Sequence, residues 1–242
     1  PEEINRKIID TISDINLTYS ENAKLNLIKE NFQLDTIFNI GSPLKEVFDK
    51  NIKKINKSKI LKQIKVKKKN YILVSLHREE NVDNEVRFNN FVNAINFIAE
   101  KTKLKIIVSL HPRTQKNIKF KKFKKNIQFF KPFDFFDYNF LQKNSHIVLS
   151  DSGSISEESY ILKFPAINLR DTHERHEAME KAIVPMVNFD GVQILNTINY
   201  LTKASSNKSQ IDDYEQKDVS ERILKIVSSY INYVNRKNYF KF

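Results

Sequence analysis

The sequence predicts a doubly wound α/β domain, in which helices cover both faces of a parallel sheet. From residue 70 onward, short apolar runs such as 70–76 and 104–110 alternate with segments whose apolar residues recur at helical spacing. The centre of each run is continuously apolar, which is typical of parallel strands buried on both faces. We therefore expect one such domain over residues 70–205.

Each element of this domain is expected from its own pattern. Apolar runs bounded by polar residues predict the strands, and apolar positions three or four residues apart predict the helices. The expected strands are 70–76, 104–110, 127–130, 146–150, 165–169 and 183–187, and the expected helices are 85–100, 134–143, 154–163, 174–182 and 192–201.

The segments on either side are organised differently. Residues 1–50 show a helix at 21–31 and a strand at 36–40, which is too little for a domain, so we expect the closing part of a first domain whose remainder is absent. Residues 51–69 are rich in lysine and are expected to connect two domains. Residues 206–242 are expected to contain a C-terminal helix, whose apolar face over 219–236 needs a packing partner.

Composition limits the function classes. The 242 residues carry a net charge of +12 and no cysteine, which excludes disulfides and thiolate metal sites. The lysine run lacks interleaved aromatic residues and arginines that would read bases, so we expect a solvated surface and no nucleic-acid partner. No apolar run approaches the roughly 20 residues that span a bilayer. We expect a cytoplasmic protein without a membrane partner.

The stretch DSGSISEES at 151–159 is the first candidate site. It follows an expected strand, begins an expected helix and contains one of only three glycines in the chain. Ligands of doubly wound sheets bind at the carboxyl ends of strands, and helix N-termini bind phosphate. Gly153 would let the backbone approach a ligand, Asp151 or Ser152 would cap the helix, and Glu158 would accept hydrogen bonds from sugar hydroxyls. An ordinary capped helix is the alternative.

Three further strand ends carry basic clusters. SLHREENVDN at 75–84 contains His77 and Arg78, SLHPR at 109–113 contains His111, and LRDTHERHE at 169–177 contains Arg170 and Arg175. Because the carboxyl ends of parallel strands meet at one edge, these groups predict a pocket for an anionic ligand. His173 and His176 have no third ligand nearby in sequence, and we expect no metal site.

Five stretches together resemble a known family. PEEINR (1–6), GSPLKEV (41–47), SLHREENVDN, DSGSISEES and LRDTHERHE are similar, in this order, to motifs of the non-hydrolysing UDP-N-acetylglucosamine 2-epimerases. HREENVD and HERHE look closest to the branch of UDP-N-acetyl-L-fucosamine synthases. The chain departs from the family pattern at His176, where proline is usual, and at Ser154, where a second glycine is frequent.

The resemblance implies a fold and a set of site residues. The fold is glycosyltransferase-B-like, with two Rossmann-like domains, of which this chain resembles the C-terminal half. In this fold the C-terminal helix within 206–242 would return to the first domain. By position, Ser152 to Ser154 would hold the diphosphate, Glu158 the ribose, and Phe133 and Tyr138 the uracil, unless these two aromatic rings are ordinary core residues. The implied catalytic residues are Glu2, Arg6 and His77, and the implied substrate-binding residues are Arg78, His111, Phe133, Tyr138, Ser152, Gly153, Ser154, Glu158, Arg170 and Arg175.

The resemblance also implies a reaction. UDP leaves by anti elimination across C1–C2 of a UDP-2-acetamido sugar and adds back after C2 is protonated on the opposite face. No cofactor is required, the longer protein would form a homodimer, and the product would serve surface polysaccharides such as capsule or O-antigen. The truncated chain is expected to be inactive alone. A UDP-sugar glycosyltransferase of the same fold, or a non-catalytic UDP-sugar-binding fragment, remains an alternative.

Overall fold

A computed structural model describes residues 2–110, 117–118, 121–203 and 209–241. The chain divides into two compact units. The large unit contains Lys50–Gln210, and the small unit contains Pro1–Asp49 together with Ile211–Phe242.

A five-stranded parallel sheet forms the centre of the large unit. Its strand order is β5-β4-β3-β6-β7, and every neighbouring pair is parallel. Each strand lies within one or two residues of its expected position. The strands are β3 (Tyr71–Leu76), β4 (Lys105–Leu110), β5 (Ile127–Phe130), β6 (Ile147–Ser150) and β7 (Ala166–Asn168). The predicted doubly wound α/β class is therefore confirmed.

Helices separate these strands along the chain. The longest, Glu85–Thr102, begins at Asn84, whose side chain caps it by accepting from the Arg87 amide, and its buried side includes Phe88, Phe91 and Ile95. These side chains join the fully buried strand residues in one core. The helices of the large unit are α4 (Ile60–Gln63), α5 (Glu79–Val82), α6 (Glu85–Thr102), α7 (Phe135–Asn144), α8 (Ile155–Leu162), α9 (His176–Glu180) and α10 (Gly191–Lys203).

One expected strand does not form. Residues 183–187 make a single bridge, between Met186 and Asn168, instead of a strand. Asn168 donates to the Pro185 carbonyl and accepts from the Val187 amide, at 2.9 Å in both cases. Pro185 has no N–H for a sheet ladder, so pairing at this edge stays limited to these contacts. The prediction of a strand at 183–187 was wrong.

The order of the sheet identifies its functional edge. The chain runs from β3 through β4 to β5 on one side and then returns to β6 on the other side of β3. The strand order reverses between β3 and β6, and such a switch point opens a crevice at the carboxyl ends of the strands. Ser75 of β3 pairs with Ser150 of β6, which brings the residues after these strands side by side.

The lysine-rich segment is more ordered than a plain connector. Helix α3 (Leu44–Ile55) continues into it, and α4 follows. Ile55, Ile60 and Leu61 are buried, while most of the lysines between 53 and 69 are exposed. The lysines of the segment therefore face water, as predicted. Its buried apolar side chains pack into the protein, which the lysine-rich composition did not indicate.

The small unit combines the two ends of the chain. A two-stranded parallel sheet of β1 (Asn16–Thr18) and β2 (Ile37–Asn39) is accompanied by α1 (Glu2–Ile12), α2 (Glu21–Lys29) and the C-terminal α11 (Val219–Tyr239). Asp213 ties the two ends together, since its carboxylate accepts from Asn39 Nδ2 at 2.8 Å and its carbonyl accepts from the Ser42 amide at 2.7 Å. Sequence patterns predicted α2, β2 and α11 but missed α1 and β1.

Two helices of the small unit expose apolar side chains. Along α1, Ile4, Ile8, Ile9 and Ile12 are all more than half exposed, and along α11 so are Leu224 and Ile231. The predicted apolar face of α11 is partly used, because Val219 is buried and Tyr230 packs edge-on against Phe38. None of the helices in the described parts of the chain has the length and apolarity that a membrane crossing demands.

Candidate functional site

The carboxyl ends of β3 and β6 place His77 and Asp151 side by side. Asp151 is fully buried and turns its carboxylate toward the loop after β3. It accepts hydrogen bonds from the backbone amides of His77 and Arg78 at 3.0–3.2 Å and from Asn81 Nδ2 at 3.1 Å. His77 Nδ1 lies 3.0 Å from the same carboxylate. One buried anion thus organises the loop that carries the first basic cluster.

Asp151 therefore does not cap the helix that follows β6. The N-cap position of α8 is Ser154, whose side chain makes no capping hydrogen bond. Ser152 Oγ instead accepts from the Ser154 amide at 3.3 Å and lies 2.9 Å from Ser154 Oγ. The predicted cap from Asp151 or Ser152 was wrong, because the Asp151 carboxylate is used by the neighbouring strand end.

Two arginines and a glutamate converge over Gly153. A Cβ built on Gly153 would lie 3.7 Å from Arg78 Nη2, 3.8 Å from Glu174 Oε2 and 4.0 Å from Arg170 Nη1. These are ordinary contact distances, and the φ of Gly153 is not positive, so neither crowding nor backbone conformation demands glycine here. The missing Cβ instead keeps clear the space below the two guanidinium groups, as expected for a backbone that a ligand approaches.

Arg170 is the most deeply buried cation of this cluster. Only 3% of its side chain is exposed, and its Nη2 donates to Glu174 Oε1 at 2.9 Å. Its buried Nε has no hydrogen-bond partner among the described residues. Arg78 Nη2 lies 3.4 Å from the same Glu174 oxygen. Hydrogen bonds from Arg170 hold the pKa of Glu174 below its usual range despite partial burial.

The paired carboxylates of α8 have separate partners. Glu157 is buried and forms a 2.8 Å ion pair with Arg175, which anchors the loop after β7 to this helix. Glu158 accepts a 2.6 Å hydrogen bond from Ser154 Oγ and another from Gln142 Nε2 of α7. Glu158 is thereby held beside the loop at 152–154, one turn into the helix, where the prediction for a ribose ligand requires it.

The two candidate aromatic residues lie around α7. Tyr138 on α7 has its pKa raised by burial and, to a smaller extent, by the carboxylate of Glu158. Phe133, just before α7, is partly buried, and its ring lies 5.5 Å from that of Phe130. Tyr138 is thus near Glu158, whereas the ring contact of Phe133 is with a strand residue.

Glu2 and Arg6 belong to the small unit and are described apart from the other candidates. Glu2 begins α1 and is exposed. Arg6 is surrounded by carboxylates, with Nη2 2.7 Å from Glu3 and 2.8 Å from Glu30, and a further ion pair to Asp10. The hydrogen bonds that Arg6 donates, led by those to Glu3, raise the pKa of Arg6, which is a cation in any case.

Histidines at positions 111, 173 and 176 complete the set of candidates from the sequence. His111 lies outside the described residues. His173 and His176 form an edge-on ring pair with centroids 4.8 Å apart. Within residues 2–110, 117–118, 121–203 and 209–241, no group of three or more His, Cys, Asp or Glu side chains is arranged to hold a metal ion.

Pattern analysis missed three residues of this site. Asp151 was assigned to a helix cap, Asn81 was not singled out, and Glu174 was noted in the cluster at 169–177 but given no role. Asn81 and Asp151 meet only because β3 and β6 are neighbours, which is a property of strand order that local sequence does not reveal. Glu174 lies four residues after Arg170, and that spacing of opposite charges was the available signal.

These features define a class of protein. The fold is a doubly wound α/β domain with arginines, a histidine and a glycine loop at its switch point, followed by a carboxylate one turn into the next helix. Cations around a helix N-terminus suit a phosphate group, and the carboxylate suits hydroxyl groups. The class is that of doubly wound α/β proteins with a candidate anion site at the switch point of the sheet.

Comparison with known proteins gives the family. A family model described as UDP-N-acetylglucosamine 2-epimerase matches residues 1–228, and the chain belongs to this family. The UDP-N-acetylglucosamine 2-epimerase of Methanocaldococcus jannaschii is 34% identical in an alignment of 237 positions that covers 94% of this chain and 64% of that protein.

Solved structures of relatives agree with the fold. The UDP-N-acetylglucosamine 2-epimerase of Rickettsia bellii superposes with a TM-score of 0.90 at 37% identity, over 100% of this chain and 66% of that one. The Methanocaldococcus jannaschii enzyme in complex with UDP-GlcNAc and UDP gives 0.85 at 32% identity, over 95% of this chain and 65% of that one. The glycosyltransferase-B-like α/β fold is confirmed, and the chain spans a little under two thirds of these relatives' length.

Proposed function

We propose that this chain carries the UDP-binding part of a nucleotide-sugar C2 epimerase. The observation that supports it best is the convergence of Arg78 and Arg170 over Gly153, with Glu158 held one turn into α8. A diphosphate at the loop 152–154 would meet the guanidinium groups and the helix N-terminus. A ribose placed next along α8 would donate its hydroxyl hydrogens to Glu158. The relative solved with UDP-GlcNAc and UDP supports the same ligand class.

The proposed reaction inverts the configuration at C2 of the sugar. A base removes the C2 proton, the C1–O bond breaks, and UDP departs with the bonding electrons to leave a C1–C2 double bond. UDP oxygen then attacks C1 again while C2 takes a proton on its opposite face. His77, Arg78 and Arg170 stabilise the charge that develops on the leaving diphosphate. Glu2 and Arg6 are the proposed groups at the sugar, with Glu2 as an acid or base.

Finer assignments belong to the same proposal. The substrate is a UDP-2-acetamido sugar, and two reactions are alternatives. The first converts UDP-GlcNAc to UDP-ManNAc, and the second converts UDP-2-acetamido-2,6-dideoxy-L-talose to UDP-L-FucNAc. The motifs HREENVD and HERHE favour the second. A cytoplasmic homodimer that supplies surface polysaccharide synthesis completes the proposal. We also propose that residues 1–50 close a first Rossmann-like domain and that the 242 residues alone do not epimerise.

The test follows the C2 proton. UDP-GlcNAc and UDP-2-acetamido-2,6-dideoxy-L-talose are each incubated in heavy water with the 242 residues alone, and with the same residues preceded by the N-terminal part of the Rickettsia bellii relative. With the fusion protein only, proton NMR should show loss of the C2 signal and appearance of the C2 epimer for one of the two substrates, and the motifs favour the talose sugar. A His77→Gln fusion serves as the control and should be at least about a hundredfold slower.

Two other results would contradict the proposal in different ways. If the fusion protein binds UDP but transfers the sugar to an acceptor without exchange at C2, it is a glycosyltransferase. If the 242 residues alone exchange the C2 proton, this chain supplies every group that the exchange needs, and the proposed need for further chain is wrong.

A further inference from the structure

Asp151 is a buried acid whose surroundings consist of donors. The amides of His77 and Arg78, the side-chain amide of Asn81 and the imidazole of His77 all point at its carboxylate, at 3.0–3.2 Å. The Asp151 side chain is fully buried. A charged group without solvent requires such a set of donors, and removing one partner of a buried network is costly.

We propose that Asp151 is a positioning residue that orients the imidazole of His77 through Nδ1 and so presents Nε2–H to the diphosphate. This inference rests on the proposed function, because it explains how one residue of that site is held. Asp151 itself does not touch the ligand. Its action passes through His77, of which 42% of the side chain is exposed.

The geometry gives the carboxylate a task that an amide could not perform. Four donors need four acceptor positions, and an ionised carboxylate offers about that many. Asparagine at 151 would have to turn its NH₂ group toward a backbone amide or toward His77 Nδ1. Because the two backbone donors belong to the loop after β3 itself, the same contacts that bind the imidazole also fix the backbone that carries it.

The surrounding charges agree with a protonated His77. Burial alone would raise the pKa of Asp151, but hydrogen bonds from His77, the Arg78 amide and Asn81 lower it below its usual range. The hydrogen bond to Asp151 in turn raises the pKa of His77, against burial. Glu158 on α8 acts in the same direction and Arg78 in the opposite one. Tyr138 on α7 also faces Asp151 and is held neutral by burial.

The first test reads the tautomer directly. Nitrogen-15 NMR of the histidine side chains is recorded on the 242-residue chain over a pH titration, and His77 is assigned by its loss in a His77→Gln variant. At a pH above the pKa of His77, the neutral imidazole should carry its proton on Nδ1 and none on Nε2. A neutral form protonated at Nε2 would overturn the proposal, and this measurement needs no change at Asp151.

The second test separates positioning from a purely structural role. UDP affinity is measured by calorimetry for the wild type, Asp151→Asn, His77→Gln and the double variant. Asp151→Asn should weaken binding about tenfold, as expected for a charge-assisted hydrogen bond, but should add less than about twofold in the His77→Gln background. Equal losses in both backgrounds would mean that Asp151 only supports the loop, and would overturn the proposal.

A control variant and an independent readout complete the design. Asn81→Ala removes another donor to Asp151 without touching the imidazole, and the tautomer of His77 should stay the same. If the wild type does not bind UDP at all, the proposed function fails, while the tautomer measurement still decides the relation between Asp151 and His77.

Discussion

Glu174 Oε1 accepts a 2.9 Å hydrogen bond from Nη2 of Arg170, and only 3% of that arginine side chain is exposed. The Glu174 side chain itself is 61% exposed, so it can turn away into solvent. Its carboxylate lies over Gly153, between Arg170 and Arg78, where the proposed diphosphate would bind. Glu174 and the proposed diphosphate would therefore compete for the same cations.

Removing the charge of Glu174 should strengthen UDP binding. In Glu174→Gln, the arginines keep a neutral neighbour but lose the competing anion, and we expect about a fivefold higher affinity, or about 1 kcal/mol, by calorimetry. Glu180→Gln makes the same change at an exposed residue of α9 and should leave the affinity unchanged. Weaker binding by Glu174→Gln would show that this carboxylate contacts the ligand instead of competing with it.

Adding one methyl group at Gly153 should impair binding without affecting the fold. The nearest atoms to a new Cβ are 3.7–4.0 Å away, so the substitution meets no clash. The free energy of unfolding of Gly153→Ala should therefore lie within about 0.5 kcal/mol of the wild-type value. The methyl group would project into the ligand space and reduce UDP affinity by about tenfold or more.

Gly191→Ala is the matched comparison for this prediction. There a Cβ would lie 2.9 Å from Phe97 Cδ1, so the same substitution should lower the free energy of unfolding by about 1–3 kcal/mol. UDP affinity of the folded fraction should be normal. If both variants lose stability and neither loses affinity, Gly153 has only a structural role.

Glu158 should recognise the ribose and nothing else in the nucleotide. Glu158→Gln keeps the shape of a side chain held by Ser154 and Gln142 but removes its charge. We expect about tenfold weaker binding of UDP, because hydrogen bonds to charged groups contribute about 1.5–3 kcal/mol. With 2′,3′-dideoxyuridine diphosphate the wild type and the variant should bind equally. A loss that persists with the dideoxy ligand would place Glu158 elsewhere in the site.

Ligand binding should weaken at alkaline pH. The hydrogen bond to Asp151 raises the pKa of His77, so the imidazolium persists above the pH at which a free histidine loses its proton. UDP-GlcNAc affinity should therefore be retained at low pH and decline as the pH rises through the raised pKa of His77. In His77→Gln the profile over the same range should be flat, and an unchanged decline would assign the titration to another group.

The lysine-rich segment should matter for stability through its apolar residues only. Neutralising Lys53, Lys57, Lys62 and Lys67, all exposed, should change UDP affinity by less than about twofold. Leu61→Ala removes a buried side chain and should cost about 2–5 kcal/mol of unfolding free energy. A large salt-sensitive loss of UDP affinity in the lysine variant would instead mean that these charges reach the ligand.

The sheet of the large unit was predictable because its strands are continuously apolar. Val148 and Leu149, for example, belong to a run that can be buried on both faces, and such runs have few alternative structures. Residues 183–187 look similar, but Pro185 withholds a donor and limits them to one bridge. Helix α1 escaped notice although Ile4, Ile8 and Ile12 recur every four residues, because this helix buries none of them.

The positions of the candidate site residues in the chain were predictable from motifs, but the contacts between their side chains were not. The loop 152–154, His77 and Arg170 follow strand ends, which pattern analysis can locate. The pairing of His77 with Asp151, and of Glu157 with Arg175, depends on which strands are neighbours and how loops fold back. These contacts join residues 74 and 18 positions apart, and no local periodicity encodes them.

The most direct test of this account is a titration of the nitrogen-15-labelled chain with UDP, with uridine as the comparison. If the loop after β6 binds the diphosphate, the amide signals of Ser152, Gly153 and Ser154 should shift strongly with UDP and only weakly with uridine, while Glu158 should respond to both. Equal shifts with both ligands, or shifts confined to the lysine-rich segment 51–69, would contradict the account.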